Sequence, residues 1–302
     1  SQSYEWSNGG SVIGTGALLT VSAASASPGD SLTCTMTVTD SSNASVSDSA
    51  SVSMGNTDPV VSSVTVSPSP AYNDSTLTCS VNASDADGQS LSTSYVWTNG
   101  STTLGTSQSL SLSASSAGVV DSIVCTATVS DPSGGSDSDS GAVSLSTRSP
   151  SLAGVSVSPS TGIVVGSTLT CTGSASDPDG QSVSLSYEWT NGGSVIGTGG
   201  SLTVSASNAG PGDTLTCTVT ATDSSNASVS ASDSVSMENT DPVISNVTVS
   251  PSPAYNDDTL NCVVNASDVD GQSLSTSYVW TNGSNILGSS QSLSLTSSTA
   301  SV

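Results

Sequence analysis

The sequence predicts an all-β protein, an elongated tandem array of small antiparallel sandwiches. Three observations carry that expectation. Tryptophan and cysteine recur at a fixed period, the segments between them alternate apolar with small polar residues, and glycine- and aspartate-rich turns separate those segments.

The period comes first. Trp6, Trp97, Trp189 and Trp280 are separated by 91, 92 and 91 residues, and the six cysteines, from Cys34 to Cys262, by 45 or 46. The unit is therefore about 92 residues with two cysteines and one tryptophan. A longer period of 183 is superimposed: "DSSNASVS" at Asp40 returns at Asp223, and "SPSPAYND" at Ser67 returns at Ser250. Two unit types thus alternate, which points to an array grown by duplication.

Alternation is the second element. "SVTVSPSP", "STLTCSV", "SYVWTNG" and "SIVCTATVS" place apolar residues at every second position, the mark of half-buried strands. "DADGQ", "DPDGQ", "AGPGD" and "DPSGG" are the turns between them. No apolar stripe of helical period occurs. The expected units are 1–56 (the C-terminal part of a domain), 57–147, 148–239, and 240–302 (the N-terminal part of one).

Composition limits what such units can be. Leu, Ile and Val total 59 of 302 residues, against 114 Ser and Thr, so the chain can fill several small cores but not one large one. With 24 acidic groups, one Arg, no Lys and no His, the formal charge is −23. Such a chain cannot neutralise phosphates, so no nucleic-acid partner is expected and anionic membrane surfaces are poor partners. No apolar run approaches the roughly 20 residues that span a bilayer, and residue 1 lies inside a repeat, so any export signal would lie outside this segment.

Spacing alone leaves the cysteine pairing open, because the steps are nearly equal. The tryptophans order them. Cys79, Cys171 and Cys262 stand 18 residues before a Trp, and Cys34, Cys125 and Cys217 stand 28 after one. The unit then reads L-x-C, Y-x-W, D-[ST]-[LI]-x-C, which resembles the immunoglobulin-like fold. The "DPDGQSVSLSYEW" stretch from Asp177 to Trp189 also looks like the strand B to strand C region of PKD-type and cadherin-like repeats of bacterial and archaeal surface proteins. The tyrosine-corner residue of antibody domains is replaced by Thr or Val.

In the immunoglobulin-like fold, cysteines on strands B and F bridge two sheets over a core tryptophan on strand C. The resemblance therefore implies the bridges Cys79–Cys125 and Cys171–Cys217. It places Trp6, Trp97, Trp189 and Trp280 in cores, and gives Cys34 and Cys262 partners outside residues 1–302. Clustered zinc ligands are lacking, and the bridges imply an oxidising, extracellular or cell-surface location.

The D-x-D-G steps, Asp85 and Asp87, Asp177 and Asp179, and Asp268 and Asp270, admit two readings. One is a turn, with Asp capping its own backbone and Gly supplying positive φ. The other is a calcium site between domains, which the cadherin-like resemblance implies. Two carboxylates fall short of the 6–8 oxygens calcium takes, so the linkers would add Asp58, or Glu238 and Asp241. The middle linker, "LSTRSP", has lost those acids and carries Arg148, expected to pair with Asp177 or Asp179 in place of a metal.

Eight N-x-[ST] sequons, at Asn43, Asn73, Asn82, Asn99, Asn226, Asn246, Asn265 and Asn282, make N-glycans a further expectation. Catalysis is not expected: there is no His, no Lys and no thiol outside the pairing above. The expected role is a non-catalytic structural segment of an extracellular filament, stalk or surface fibre that associates with itself. The alternative is an adhesin module that binds carbohydrate or a partner cell. Residue 1 aligns with Ser92 and Val302 with Val119. The segment is then either a window on a longer array, which the overlap of 28 residues favours, or one of many copies that complete each other head to tail.

Overall fold

The computed structural model describes residues 1–297, and every regular element among them is a β-strand. The chain divides into two compact units, Ser1–Arg148 and Ser149–Val302.

The first unit opens with β1 (Gln2–Asn8), β2 (Ser11–Thr15), β3 (Ser31–Thr39) and β4 (Ser45–Ser53), which form one antiparallel sheet in the order β2-β1-β3-β4. A complete sandwich follows: β5 (Val60–Ser67), β6 (Thr76–Ser84), β7 (Ser92–Asn99), β8 (Thr102–Gly105), β9 (Ser109–Ser111), β10 (Ser122–Ser130) and β11 (Ser136–Ser144). Its sheets are β5-β6-β9 and β11-β10-β7-β8.

The second unit takes the opposite order, with its complete sandwich first. Its sandwich consists of β12 (Ser151–Ser158), β13 (Thr168–Ser176), β14 (Val183–Asn191), β15 (Ser194–Thr198), β16 (Ser201–Thr203), β17 (Thr214–Asp223) and β18 (Ser228–Ser236). It is followed by β19 (Val243–Ser250), β20 (Thr259–Ser267), β21 (Trp280–Asn282), β22 (Asn285–Gly288) and β23 (Ser292–Ser294). Here β19-β20-β23 form one sheet, and β21-β22 stand as a hairpin of their own.

Alternation explains which face turns inward. Along β10, Ile123, Cys125, Ala127 and Val129 are buried, and the residues between them are only partly so. In the first sandwich Leu77, Cys79, Trp97, Ile123 and Cys125 are fully buried, and in the second Leu169, Trp189, Leu215 and Cys217. Both cores are closed by a disulfide. The bridges are Cys79–Cys125, with Cα atoms 6.3 Å apart, and Cys171–Cys217, at 6.4 Å. Each closes a sequence separation of 46 residues, a constraint that contributes about 4 kcal/mol in the chain-entropy account.

The indole sits directly beside the bridge because the register puts it there: Trp97 is opposite Cys125 and Trp189 opposite Cys217. Burial of the ring leaves its N–H to be satisfied. Trp97 donates to the carbonyl of Ser107 at 2.8 Å and Trp189 to that of Gly199 at 3.0 Å. A glycine makes room alongside. A Cβ on Gly197 would lie 2.8 Å from Leu202 Cδ1, so a side chain there would force that leucine to shift from its place in the core.

The same positions in the other two segments are less covered. Trp6 and Trp280 are half-buried although their N–H groups keep equivalent bonds, to Gly16 and Ser290. Trp189→Ala is expected to destabilise its sandwich by about 3–5 kcal/mol, and Trp6→Ala its own sheet by clearly less. Guanidinium unfolding followed by circular dichroism measures both, and equal losses would contradict the packing described.

Candidate functional sites at the turns and junctions

The acidic residues recur at three kinds of place in each unit. The first is the D-x-D-G turn after β6, β13 or β20. Asp85 Oδ1 accepts from the amides of Asp87 at 2.8 Å and Gln89 at 3.3 Å, and Asp177 does the same for Asp179 and Gln181. Asp268 Oδ1 accepts from the Asp270 amide at 2.8 Å. Gly88, Gly180 and Gly271 take φ of 70°, 77° and 75°, conformations that favour glycine.

The second aspartate of the step fastens a linker. Asp87 Oδ2 accepts from the backbone amide of Thr57 at 2.6 Å, and Asp270 Oδ2 from that of Thr240 at 2.6 Å. Thr57 and Thr240 occupy the same position in "NTDP", so one device serves both linkers.

The second place escaped the sequence reading as a site. Asp131, buried in the turn between β10 and β11, accepts from the amides of Ser133 at 2.8 Å and Gly135 at 2.9 Å, and from Asn56 Nδ2 at 2.9 Å. The Asn56 amide holds the Asp131 carboxyl below the usual carboxylate range, against the upward push of burial. Asp40 and Asp223 cap the equivalent turns. Their repetition in "DSSNASVS" was the signal available. Near Asp131, a Cβ on Gly135 would collide with the carboxylates of both Asp58 and Asp131.

The third place is the aspartate that opens D-[ST]-[LI]-x-C. Asp30, Asp121 and Asp213 accept from the side-chain amides of Asn8, Asn99 and Asn191 at 2.6, 2.6 and 2.7 Å. The Asn of W-[ST]-N-G is thus clamped to the turn that precedes the second cysteine. The Gly210 amide and then Asn191 hold Asp213 below the usual range, as the Ser27 amide and Asn8 do for Asp30.

This geometry bears on the calcium expectation for Asp58, Asp85, Asp87, Glu238, Asp241, Asp268 and Asp270. Among the described residues, no three His, Cys, Asp or Glu side chains stand close enough together to hold a metal. Glu238 Oε1 accepts from the Gly162 amide of its own sandwich at 2.7 Å. Asp85 Oδ2, Gln89 Oε1 and Asp270 Oδ1 are buried without partners, but these few acceptors fall well short of a calcium shell. As placed, Asp85 and Asp268 cap turns and Asp87 and Asp270 fasten linkers, and the seven carboxylates together do not make a calcium cage.

Arg148 has partners in its own unit that the sequence did not suggest. Its guanidinium donates to Asp74 Oδ2 at 3.0 Å and lies 4.7 Å from the centre of the Tyr72 ring. The sequons separate by exposure. Asn43, Asn82, Asn226, Asn246, Asn265 and Asn282 are exposed. Asn73 is 2% exposed, and the Asn99 amide is engaged with Asp121. Those two sequons are therefore unsuited to a glycan. Among the described residues, no helix is long and apolar enough to cross a membrane.

Searches for similar proteins found no matching family model and no matching curated protein. Solved structures do match. A tetra-tandem repeat from the extending region of a large adhesion protein shares 19% identity, with 89% of this chain and 81% of that one covered and a TM-score of 0.31. The N-terminal eight immunoglobulin domains of Down syndrome cell adhesion molecule share 15%, covering 87% and 36%, with a TM-score of 0.30. Three N-terminal domains of the highly immunogenic outer capsid protein of bacteriophage RB49 share 15%, covering 78% and 88%, with a TM-score of 0.28.

Two outcomes check these sites. The carboxylate of Asp213 titrates low in the folded protein, so its clamp stabilises above the ordinary carboxylate pKa near 4 and is lost as pH falls through the lowered value. Asn191→Ala should therefore lower the unfolding temperature at pH 7, with the gap to the parent closing below about pH 4; a pH-independent gap would contradict the clamp. Millimolar Ca²⁺ should leave the unfolding temperature of the parent unchanged. A rise that grows with Ca²⁺ concentration would show that the turns rearrange into a site.

Proposed function

We propose that this chain is a non-catalytic structural repeat segment of an extracellular filament, stalk or cell-surface fibre. One observation carries the reading: the chemically distinctive groups of each complete sandwich are engaged in holding that sandwich together. Four cysteines form two bridges, the buried indoles bond backbone carbonyls, and the recurrent aspartates cap turns or fasten linkers. The two disulfides fit an oxidising, extracellular setting. Repetition of such self-sufficient modules supplies length rather than a single reacting centre. Negative-stain microscopy of native material should show fibres or stalks; isolated compact particles would contradict the proposal.

The adhesin reading rests on Tyr255, an aromatic ring left 68% exposed, which suits stacking on a sugar. Tyr72, its counterpart, is covered by Arg148. Binding on a glycan array that disappears in Tyr255→Ala would favour this second reading.

Two finer points belong to the same proposal. Any N-glycans sit on Asn43, Asn82, Asn226, Asn246, Asn265 or Asn282, and intact mass before and after deglycosylation tests for them. In the middle of the chain the linker acids are replaced by Arg148, which holds Asp74 and Tyr72 of its own unit. In Arg148→Ser, limited proteolysis should accelerate within residues 145–150 and stay unchanged at 54–59 and 237–242. Equal acceleration at all three would refute that role.

A further inference from the structure

The chain places asparagine before glycine only in W-[ST]-N-G, at the hairpin that follows each tryptophan. Asn-Gly is the step most prone to succinimide formation, because glycine has no Cβ to hinder its own nitrogen from reaching the asparagine side-chain carbonyl. Gly9, Gly100 and Gly192 are exposed, and a Cβ built on each would meet nothing within 4 Å. The attacking nitrogen and a hydrolytic water therefore have a clear approach.

The asparagines themselves are half-buried and held. Asn191 closes β14, with Leu215 opposite it on one side and Ser194 on the other, so ring closure requires it to rotate out of the ladder. Its Nδ2 donates to Asp213 Oδ2 at 2.7 Å and to the Asn208 carbonyl at 3.1 Å. Asn8 is held in the same way by Asp30 at 2.6 Å and the Ser25 carbonyl at 3.2 Å, and Asn99 by Asp121 at 2.6 Å. A carboxylate bonded to the amide resists both rotation of that group and its departure as ammonia. A reactive step and its restraint thus recur together.

We propose that Asn8, Asn99 and Asn191 are deamidation sites held shut by the aspartates clamped to them. At Asn191 the Gly192 nitrogen attacks Cγ. The N–Cγ bond forms, the Cγ–Nδ2 bond breaks, and the proton from Gly192 leaves with ammonia. Water then opens the succinimide at either carbonyl, giving aspartate or isoaspartate without oxidant or cofactor. Neither product can be clamped. A carboxylate in place of the amide withdraws the donor from Asp213 and sets a like charge beside it, while the Gly210 amide still favours the Asp213 anion. Isoaspartate also lengthens the main chain by a carbon where β14 enters its turn. Each conversion irreversibly loosens the turn that leads into β17 and Cys217, with the disulfide left in place. The sandwich therefore carries a chemical clock whose rate the Asn–Asp bond sets, in a fibre module and an adhesin module alike.

The test follows Asn191 in the 302-residue chain at mildly alkaline pH, by peptide mapping that separates the aspartyl and isoaspartyl forms. Each variant is kept at a temperature where circular dichroism shows it folded. Asp213→Ala should speed conversion of Asn191 by about tenfold, the scale of one charge-assisted hydrogen bond, and leave Asn99 at the parent rate. Val235→Ala weakens the same core without touching the clamp and controls for loosening of the whole sandwich; it should convert Asn191 more slowly than Asp213→Ala does. Equal rates in the two variants, or no acceleration in Asp213→Ala, would overturn the proposal. Asn191→Asp supplies one product directly. It should lower the unfolding temperature at pH 7 by more than Asn191→Ala, and the excess should vanish below about pH 4, where both carboxylates are protonated. An Asn191→Asp chain as stable as the parent would contradict the loosening.

Discussion

The disulfide laid against a buried indole is the contact on which the rest of this structure depends. A sandwich of about 92 residues with serine or threonine at more than a third of its positions has little apolar volume with which to offset chain entropy. Ring and bridge together concentrate that volume at one point, between the two sheets. Loop closure over 46 residues then raises the free energy of the unfolded chain rather than adding further contacts to the folded one. Every other regularity can be understood as keeping that point in place: the glycine that admits a leucine beside the indole, the carbonyl that receives its N–H, and the asparagine clamped to the turn before the second cysteine.

Charge is handled separately from the core. A chain at −23 would repel itself if its carboxylates were scattered over strand faces. Many of them instead lie in turns and linkers, where each meets one or more backbone amides. A carboxylate accepting two amides both defines the turn and is stabilised as the anion. The D-x-D-G step shows this economy well, since its first aspartate shapes the loop and its second secures the linker leading into the same domain.

Much of this was legible in the sequence, for physical reasons. Strand positions follow from two-residue alternation, and the bridges from the order of Cys, Trp and Cys in an immunoglobulin-like unit, because the register that sets Trp97 opposite Cys125 is a property of that fold. The aspartates were harder to read. D-x-D is compatible with a metal or a turn, and only the positions of the Thr57 and Thr240 amides distinguish the two. Asp131 is inconspicuous in sequence because "DPSGG" has the form of an ordinary turn and its link to Asn56 spans 75 residues. The conspicuous charges near Arg148 in sequence are those that follow it, whereas Asp74 and Tyr72 approach it from an earlier loop. Sequons carry no information on burial, so nothing marked Asn73 as enclosed.

The most direct test is peptide mapping of the oxidised chain without reduction, using a protease specific for acidic residues, because one arginine leaves trypsin almost nothing to cut. The account predicts fragments in which Cys79 is joined to Cys125 and Cys171 to Cys217. Fragments joining Cys125 to Cys171, or free thiols at these four positions, would contradict it.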